Sequence, residues 1–274
     1  MRSVCLFAID VDGTLLDRSH RLKTEVRDAV CRLAASGVRV ALATARGPQA
    51  VSEIVRQFDF TPWLICFSGA WIGELDLQSL HPTNVRSDQR IPGGLARSIL
   101  ATALAYKVEP NVLTPGGWRV RTLTKEILEE CAIVNLKPSV TGELLERDEE
   151  PSKIMLISRM DQAATVLPQI EESVRAFSTA TFSKPNYLEI LPLGVNKARA
   201  VSVLAAALGL ELGQVAAIGD APNDLEMLRE VGLAFAMGNA SDEVKATADS
   251  VVGSNDQAGV AQAVKEILIH NGLT

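Results

Sequence analysis

The feature that most constrains the fold of this chain is a series of short, uninterrupted apolar segments that alternate with segments of helical periodicity. In the first third of the sequence the apolar segments are residues 4–9, 38–43 and 63–67, with helical spacing at 23–36 and 48–58. Strands that are apolar on both faces are typical of parallel sheets covered by helices on both sides. The last third repeats the alternation, with helices predicted at 196–208, 222–231, 241–247 and 256–270 and strands at 215–218, 233–236 and 251–252. The pattern therefore predicts a doubly wound α/β sheet.

The middle of the chain has a different pattern, in which longer helices lie between isolated strands. Helices are predicted at 93–106, 124–134 and 161–177, and strands at 108–113, 118–121, 153–158 and 180–182. We interpret this region as an inserted α+β domain. The chain of 274 residues would then consist of a core formed by residues 1–82 and 187–274 and an insert of residues 83–186, which suits the usual size of domains.

The composition excludes several classes of protein. Apolar residues make up 47% and charged residues 22%, which is typical of globular proteins and excludes extended disorder. The net charge of −6 disfavours a nucleic-acid partner. No stretch reaches the ~20 apolar residues that would span a bilayer, and the segment before Asp10 is too short for a signal peptide. We therefore expect a cytoplasmic protein that binds a small molecule and neither nucleic acid nor a membrane. The sequence does not indicate its oligomeric state.

Polar side chains follow several predicted core strands at the point where each strand ends. Asp10 and Asp12 follow the first strand, Thr44 the second, Ser68 the third and Asp220 a later one. In open α/β sheets, ligands bind in the crevice beyond the carboxyl ends of the strands. The spacing of two allows Asp10 and Asp12 to project to the same side. A single Asp-rich segment after a strand ordinarily has only a structural role, as a turn or a helix cap. The convergence of several such segments at one edge of the sheet predicts a functional site.

The carboxylates of Asp10, Asp12, Asp220 and Asp224 would need a cation in order to share a cleft. Two carboxylates ~4 Å apart repel each other by roughly 4 kcal/mol at an effective dielectric constant of ~20. Magnesium prefers oxygen ligands and completes its octahedron with phosphate oxygens and water. These four residues are therefore candidate Mg²⁺ ligands beside a phosphate group. For Asp220 and Asp224 the alternative is N-capping of the helix that begins around Pro222.

Lys197 lies near the start of a predicted helix, where the helix dipole disfavours a cation. Local stability does not explain such a lysine, whereas neutralisation of a phosphoryl group does; an exposed surface lysine is the alternative. Thr44 is either a turn residue or a hydroxyl that holds a phosphate oxygen. The three histidines form neither a general base nor a metal cluster, because His20 and His81 are assigned to exposed loops and His270 lies near the C-terminus.

In their order along the chain, these motifs resemble the haloacid dehalogenase superfamily of phosphohydrolases, in its Cof-type branch with a large inserted cap. The segments that carry the resemblance are 10–16 (DVDGTLL), 43–46 (ATAR), 193–197 (LGVNK), 219–228 (GDAPNDLEML), 236–240 (AMGNA) and 254–261 (SNDQAGVA). They span nearly the whole predicted core. Two positions depart from the family's usual pattern, since Ala45 stands where Gly is often found and Ser68 where Asn is usual.

The resemblance implies a Rossmann-like core and a magnesium-dependent phosphatase that acts on a small phosphorylated metabolite, either a sugar phosphate or a phosphorylated cofactor. It implies that Asp10 is the nucleophile that forms an aspartyl-phosphate, and that Asp12 is the acid and base. It further implies phosphate and substrate binding by Thr44, Ala45, Lys197 and Asn223, and Mg²⁺ binding by Asp10, Asp12 (through its carbonyl), Asp220 and Asp224. A phosphomutase on the same scaffold and a non-catalytic phospho-ligand sensor are the alternatives.

Overall fold

The computed structural model describes residues 3–273, and over these residues the chain divides into two compact units. Unit 1 comprises the residues up to Ala45, Ser52–Ser87 and the residues from Asn196 onward, whereas unit 2 comprises Arg46–Val51 and Asp88–Val195. Across the part of the chain that the structure describes, each helix is too short or too polar to traverse a lipid bilayer.

The secondary-structure elements are numbered along the chain. The strands are β1 (Leu6–Asp10), β2 (Arg39–Ala43), β3 (Trp63–Cys66), β4 (Trp71–Leu75), β5 (Pro82–Asp88), β6 (Glu109–Thr114), β7 (Gly117–Val120), β8 (Ser139–Val140), β9 (Lys153–Ile157), β10 (Ser178–Lys184), β11 (Tyr187–Pro192), β12 (Val215–Gly219), β13 (Leu233–Ala236) and β14 (Ser250–Val251). The helices are α1 (Thr24–Ala35), α2 (Ser52–Val55), α3 (Gly93–Ala105), α4 (Lys125–Val134), α5 (Met160–Val174), α6 (Lys197–Ala207), α7 (Leu225–Glu230), α8 (Asp242–Thr247) and α9 (Gly259–His270). Short 3₁₀ turns lie at Pro48–Val51, Phe67–Gly69, Leu212–Gln214, Pro222–Asp224 and Asn255–Gln257.

Unit 1 is built on a sheet whose strands, within residues 3–273, follow the order β14-β13-β12-β1-β2-β3-β4-β5. The pairs from β14 to β3 are all parallel, and β4 then runs antiparallel to β3. Since β12, β1 and β2 are parallel neighbours, the residues that follow them emerge at one edge of the sheet. The predicted doubly wound core is confirmed.

The uninterrupted apolar character of β1 reflects burial on both of its faces. Leu6 and Ala8 belong to a core cluster with residues of α6, α7 and α8. Side chains alternate along a strand, so Phe7 and Ile9 point to the opposite face. On that face α1 and α9 contact each other, while α1 also contacts β2 and α9 also contacts β12. All five residues of β1 are buried, and each large apolar side chain among them stabilises the fold by roughly 1.5–3 kcal/mol.

Unit 2 is an α+β unit, as predicted, with the strand order β10-β11-β9-β6-β7-β8 among the described residues. Its strand pairs are antiparallel except for β7 with β8. Helices α3 and α5 share one core cluster with the sheet, whereas α4 contributes to a second cluster that contains Trp118 and Tyr187. The unit therefore has its own apolar core.

The boundaries between the units differ from the positions assigned from the sequence. Strand β11 was not predicted, and it pairs with β10 and β9, so the residues after 186 belong to the sheet of unit 2. Strand β5 is hydrogen-bonded into the sheet of unit 1, which moves the first boundary from 83 to Asp88. The helix predicted over 48–58 is a 3₁₀ turn at Pro48–Val51 followed by the short α2.

Candidate active site

Asp10, the last residue of β1, meets Lys197 and Asp224 in a buried ion-pair cluster. The Lys197 Nζ lies 2.6 Å from the Oδ1 of Asp10 and 2.7 Å from the Oδ1 of Asp224. The exposed fraction of Lys197 is only 2%. The alternative of a surface lysine is therefore wrong, and Asp10, at the end of β1, shares this cation of the protein with Asp224, in the turn after β12.

Lys197 reaches these carboxylates because it is the first residue of α6. Asn196 caps the helix, with its side-chain oxygen accepting a hydrogen bond of 2.7 Å from the backbone N–H of Arg199. Side chains of a helix lean toward its N-terminus, which here directs the lysine back to the strand ends. Burial alone would lower the pKa of Lys197, but the negative charges of Asp10 and Asp224 outweigh it and raise that pKa above its ordinary value. The lysine is therefore held in its charged form.

Asp224 both caps the turn that follows β12 and binds Lys197. Its Oδ2 accepts hydrogen bonds from the backbone N–H groups of Asp220 and Ala221, each at 3.1 Å, while its Oδ1 faces the lysine. Capping and site formation are thus compatible for this residue. A Cβ on Gly219 would lie 2.5 Å from the Oδ2 of Asp224, so the close approach of the carboxylate requires glycine there.

Asp220 is oriented by two side chains from distant parts of the chain, those of Thr14 and Asn239. Its Oδ1 accepts a hydrogen bond of 3.0 Å from the Thr14 hydroxyl, and its Oδ2 accepts one of 3.2 Å from the Asn239 side chain. Asn239 also donates to the carbonyl oxygen of Gly13 at 2.9 Å. Gly13 has a φ of +87°, and a Cβ there would lie 2.4 Å from the Oδ2 of Asp220. The loop after β1 therefore packs directly against this carboxylate.

The cluster of Asp10, Asp220 and Asp224 fits a hard divalent cation. One carboxylate oxygen from each residue lies within 4.8 Å of the other two. Within residues 3–273, the Oδ2 of Asp10 is buried and has no hydrogen-bond partner, a costly arrangement unless a ligand completes it. Burial raises the pKa of Asp10 well above its ordinary value, and although Lys197 opposes this, Asp224 and Asp220 add to it. A carboxylate-rich, oxygen-only donor set of this kind suits Mg²⁺.

The remaining predicted site residues lie in loops at the same edge of the sheet. Asp12 is exposed, two residues beyond β1. Thr44 is buried directly after β2, and its backbone N–H donates to the carbonyl of Ile65. Ala45 follows it and is half-buried, whereas Asn223 is exposed in the 3₁₀ turn after β12.

Sequence reasoning assigned no role to the asparagines that support the site. The Oδ1 of Asn239 accepts a hydrogen bond of 2.9 Å from the backbone N–H of Asn255, and the Asn255 side chain donates to the carbonyl of Leu16 at 2.9 Å. Both asparagines lie in segments already noted for the resemblance, 236–240 and 254–261. The motifs therefore included both asparagines, but they did not show which distant groups these side chains would bind.

The chain is similar to known proteins in its sequence and in its fold. Residues 7–264 match the sequence family described as haloacid dehalogenase-like hydrolase. The chain is 31% identical to YxeH of Bacillus subtilis, covering 96% of this chain and 98% of that protein. It is 30% identical to the HMP-PP phosphatase of Klebsiella pneumoniae, covering 88% of this chain and 86% of that enzyme. A haloacid dehalogenase-like hydrolase from Bacteroides thetaiotaomicron has the same fold, with a TM-score of 0.87, 23% identity and coverage of 97% and 100%.

Proposed function

The chain belongs to the haloacid dehalogenase-like hydrolases, and on that premise we propose that it is a magnesium-dependent phosphatase with an aspartyl-phosphate intermediate. Its substrate in this proposal is a small phosphorylated metabolite, a sugar phosphate or a phosphorylated cofactor. The relative named HMP-PP phosphatase supports a small phosphate ester as the substrate class.

One observation carries this proposal, namely the environment of the Asp10 carboxylate. Its Oδ1 is held by Lys197 at 2.6 Å, which fixes the direction of the group. Its Oδ2 is buried and has no hydrogen-bond partner within residues 3–273, so its charge is left for a ligand to compensate. A purely structural carboxylate would have both oxygens satisfied, as those of Asp224 are.

The proposed reaction has two displacements at phosphorus. In the first, a carboxylate oxygen of Asp10 bonds to phosphorus as the ester oxygen leaves, and Asp12 gives its proton to that oxygen. In the second, Asp12 takes a proton from water, the water oxygen bonds to phosphorus, and the bond to Asp10 breaks to release phosphate. Thr44, Ala45 and Lys197 bind the phosphoryl oxygens, and Asn223 contacts the substrate.

Asp10, Asp220 and Asp224, with the carbonyl of Asp12, would hold the magnesium ion in this proposal. When bound, the ion neutralises the clustered carboxylates and the charge that develops on the phosphoryl oxygens. We assign the selection of the leaving group to unit 2 (Arg46–Val51 and Asp88–Val195), as the resemblance to enzymes with an inserted cap implies.

The test of this function is phosphate release from a panel of esters, with and without Mg²⁺. The panel contains p-nitrophenyl phosphate, sugar phosphates, pyridoxal phosphate, flavin mononucleotide, nucleoside monophosphates and HMP-PP. We expect release from at least one ester, an activity ~100-fold or more lower in EDTA, and recovery on adding Mg²⁺. Full activity in EDTA would contradict the magnesium dependence. Bisphosphate-dependent isomerisation of a sugar phosphate with little release would indicate a phosphomutase.

Replacing Asn239 by Ala should weaken the binding of Mg²⁺. The variant leaves the Oδ2 of Asp220 and the carbonyl of Gly13 without the donor that orients them. Loss of a partner that orients a metal ligand typically reduces metal affinity 10–100-fold. We therefore expect the Mg²⁺ concentration for half-maximal activity to rise by about this factor, with the maximal rate at saturating Mg²⁺ changed less.

Asn271→Ala is the matched control for Asn239→Ala. Asn271 makes two side-chain hydrogen bonds, both of 2.8 Å, to the backbone of Val4, compared with the three of Asn239, and it lies outside the proposed site. The control should lower the melting temperature without moving the Mg²⁺ midpoint. Equal midpoints for the two variants would show that Asn239 does not orient a metal ligand.

A further inference from the structure

Unit 2 contains a surface cleft that the proposed reaction does not use. The cleft has a volume of about 1090 Å³, and its walls are formed by α3, by the residues that follow β7 and by the segment 142–148. All of its lining residues belong to unit 2, whereas the residues assigned to the chemistry belong to unit 1. Pockets for small molecules usually enclose about 300–1,000 Å³, so this cleft, called the α3 cleft below, is large enough for one.

Three arginines line the α3 cleft, namely Arg97, Arg121 and Arg147, and all three are exposed. Within residues 3–273, none of these three guanidinium groups forms an ion pair. The remaining arginines between Asp88 and Val195 each pair with a carboxylate, and they are Arg90, Arg119, Arg159 and Arg175. The arginines of this part of unit 2 that lack a carboxylate partner are therefore gathered in one cleft.

The charge of the cleft is opposite in sign to that of the chain. Glu143 and Asp148 also line it, so its guanidinium groups outnumber its carboxylates by three to two, although the chain as a whole carries a net charge of −6. Over the described residues, neither carboxylate forms an ion pair with the three arginines. A guanidinium group presents a planar fork of N–H donors that matches the oxygens of a phosphate or a carboxylate. Three such groups around one cleft favour an anionic ligand.

Hydrogen bonds fix the backbone from which these arginines extend. The Nη1 and Nη2 of Arg97 donate to the carbonyls of Glu146 and Arg147 at 3.2 and 2.5 Å, which ties the segment 142–148 to α3. These bonds occupy two of the five N–H donors of the guanidinium and leave the others for a ligand. The Oε1 of Glu109 accepts hydrogen bonds from the backbone N–H groups of Arg121 and the next residue at 3.1 and 3.2 Å. The cleft is therefore formed before a ligand enters.

The α3 cleft also has an apolar wall. Leu100 and Leu104 line it from α3, and Leu144 and Leu145 line it from the opposite segment. Leu100, Leu144 and Leu145 belong to the apolar core of unit 2, which anchors this wall, whereas Leu104 is 37% exposed. A ligand that covers Leu104 would remove apolar surface from water and gain free energy in proportion to the area covered.

We propose that the α3 cleft is a binding site for a small organic anion with a phosphate, phosphonate or carboxylate group and an apolar body. The anionic group binds Arg97, Arg121 and Arg147, and the apolar body packs against the leucines. Because no residue of the proposed reaction takes part, this site does not depend on the phosphatase function.

The probe for this site is phenylphosphonate, whose C–P bond a phosphatase does not hydrolyse. Isothermal titration calorimetry in EDTA at low ionic strength measures its dissociation constant. Under these conditions the carboxylate cluster around Asp10 has no added cation and repels the dianion. We expect saturable binding that weakens as salt is added, because salt screens exposed charges. Methylphosphonate should bind about 5-fold or more weakly, since it lacks most of the apolar body.

The double variant Arg121→Gln/Arg147→Gln should raise the dissociation constant of phenylphosphonate about 10-fold or more, because it removes two charged donors. The guanidinium groups of both residues make no hydrogen bond or ion pair within residues 3–273, so the melting temperature should change little. Arg159→Gln/Arg175→Gln is the matched control, since it changes the net charge by the same amount at two other exposed arginines of unit 2. The control should change the dissociation constant less than about 2-fold.

A second measurement uses the wild-type protein and so does not depend on the folding of a variant. Phenylglyoxal modifies accessible arginines, and mass spectrometry of peptides locates each modified residue. Phenylphosphonate should slow the modification of Arg121 and Arg147 but not that of Arg159 and Arg175. Non-saturable binding to the wild type, equal dissociation constants for the wild type and Arg121→Gln/Arg147→Gln, or equal protection of the four arginines would overturn the site. Methylphosphonate that binds as tightly as phenylphosphonate would overturn the role of the leucines.

Discussion

Replacing Asp10 by Asn should reduce phosphate release by about 10⁴-fold or more, because the amide keeps the shape of the side chain but removes the nucleophile. Within residues 3–273 the carboxylate has a buried oxygen without a partner, and the proposed reaction bonds one carboxylate oxygen of Asp10 to phosphorus. The amide should not destabilise the protein strongly, since Lys197 still pairs with Asp224 at 2.7 Å. The measurement is the rate of phosphate release at saturating Mg²⁺, together with the melting temperature.

Asp12→Asn is the matched control, since it removes the acid and base but keeps the nucleophile. With p-nitrophenyl phosphate, whose leaving group needs no proton, this variant should accumulate a phosphorylated protein that rapid quenching and mass spectrometry detect. Asp10→Asn should not become phosphorylated under the same conditions. Phosphorylation of the Asp10→Asn protein, or turnover within about 10-fold of wild type, would contradict the assignment of Asp10 as nucleophile.

The class of the core could be predicted from the sequence because burial on both faces leaves a direct trace. Every residue of β1 is buried, and its first four residues, Leu6–Ile9, accordingly form one unbroken apolar segment that ends at Asp10. The first polar residues after β1, β2 and β12 mark where these strands leave the core, which is why the site could be anticipated at one edge of the sheet. These signals are local in the chain, and reading them needs no knowledge of distant contacts.

The features that could not be predicted depend on contacts between distant segments. Strand β11 was not predicted because its pairing with β10 and β9 places it in unit 2, whereas its position in the chain adjoins the core motif at 193–197. The burial of Lys197 follows from the carboxylates that it meets, not from its place at the start of a helix. The contacts of Asn239 with Asp220 and with Gly13 likewise join residues that no short motif links.

Replacing Lys197 by Met should destabilise the protein by about 3–5 kcal/mol near pH 8 in the absence of Mg²⁺, since two buried carboxylates then face each other without a cation. For a chain of this size this corresponds to a melting temperature lower by roughly 10 °C. Asp10 and Asp224 are both almost completely buried, so solvent cannot screen their repulsion. Thermal unfolding of the variant and the wild type at pH 8 measures the difference.

The loss should shrink as the pH falls. The folded-state pKa of Asp10 is already raised by burial, with further contributions from Asp224 and Asp220, and removing Lys197 takes away the charge that opposes this rise. The folded variant then binds more protons than the unfolded chain between the unfolded pKa and the raised one, so its stability decreases as the pH rises through that window. At pH 5 the deficit relative to wild type should therefore be smaller than at pH 8, and a deficit independent of pH would contradict the electrostatic cause.

The double variant Asp10→Asn/Lys197→Met separates the unpaired charge from the lost side-chain packing. It leaves Asp224 as the buried carboxylate nearest to the former lysine, and that group still accepts two backbone hydrogen bonds, from Asp220 and Ala221. Removing both members of a buried ion pair is usually much less costly than removing one. The double variant should thus melt above Lys197→Met at pH 8. If the double variant melts no higher than the single one, the contribution of Lys197 is packing and not charge.

Added Mg²⁺ should also raise the melting temperature of Lys197→Met, because a cation bound to the folded state alone stabilises it by mass action and replaces the lost positive charge.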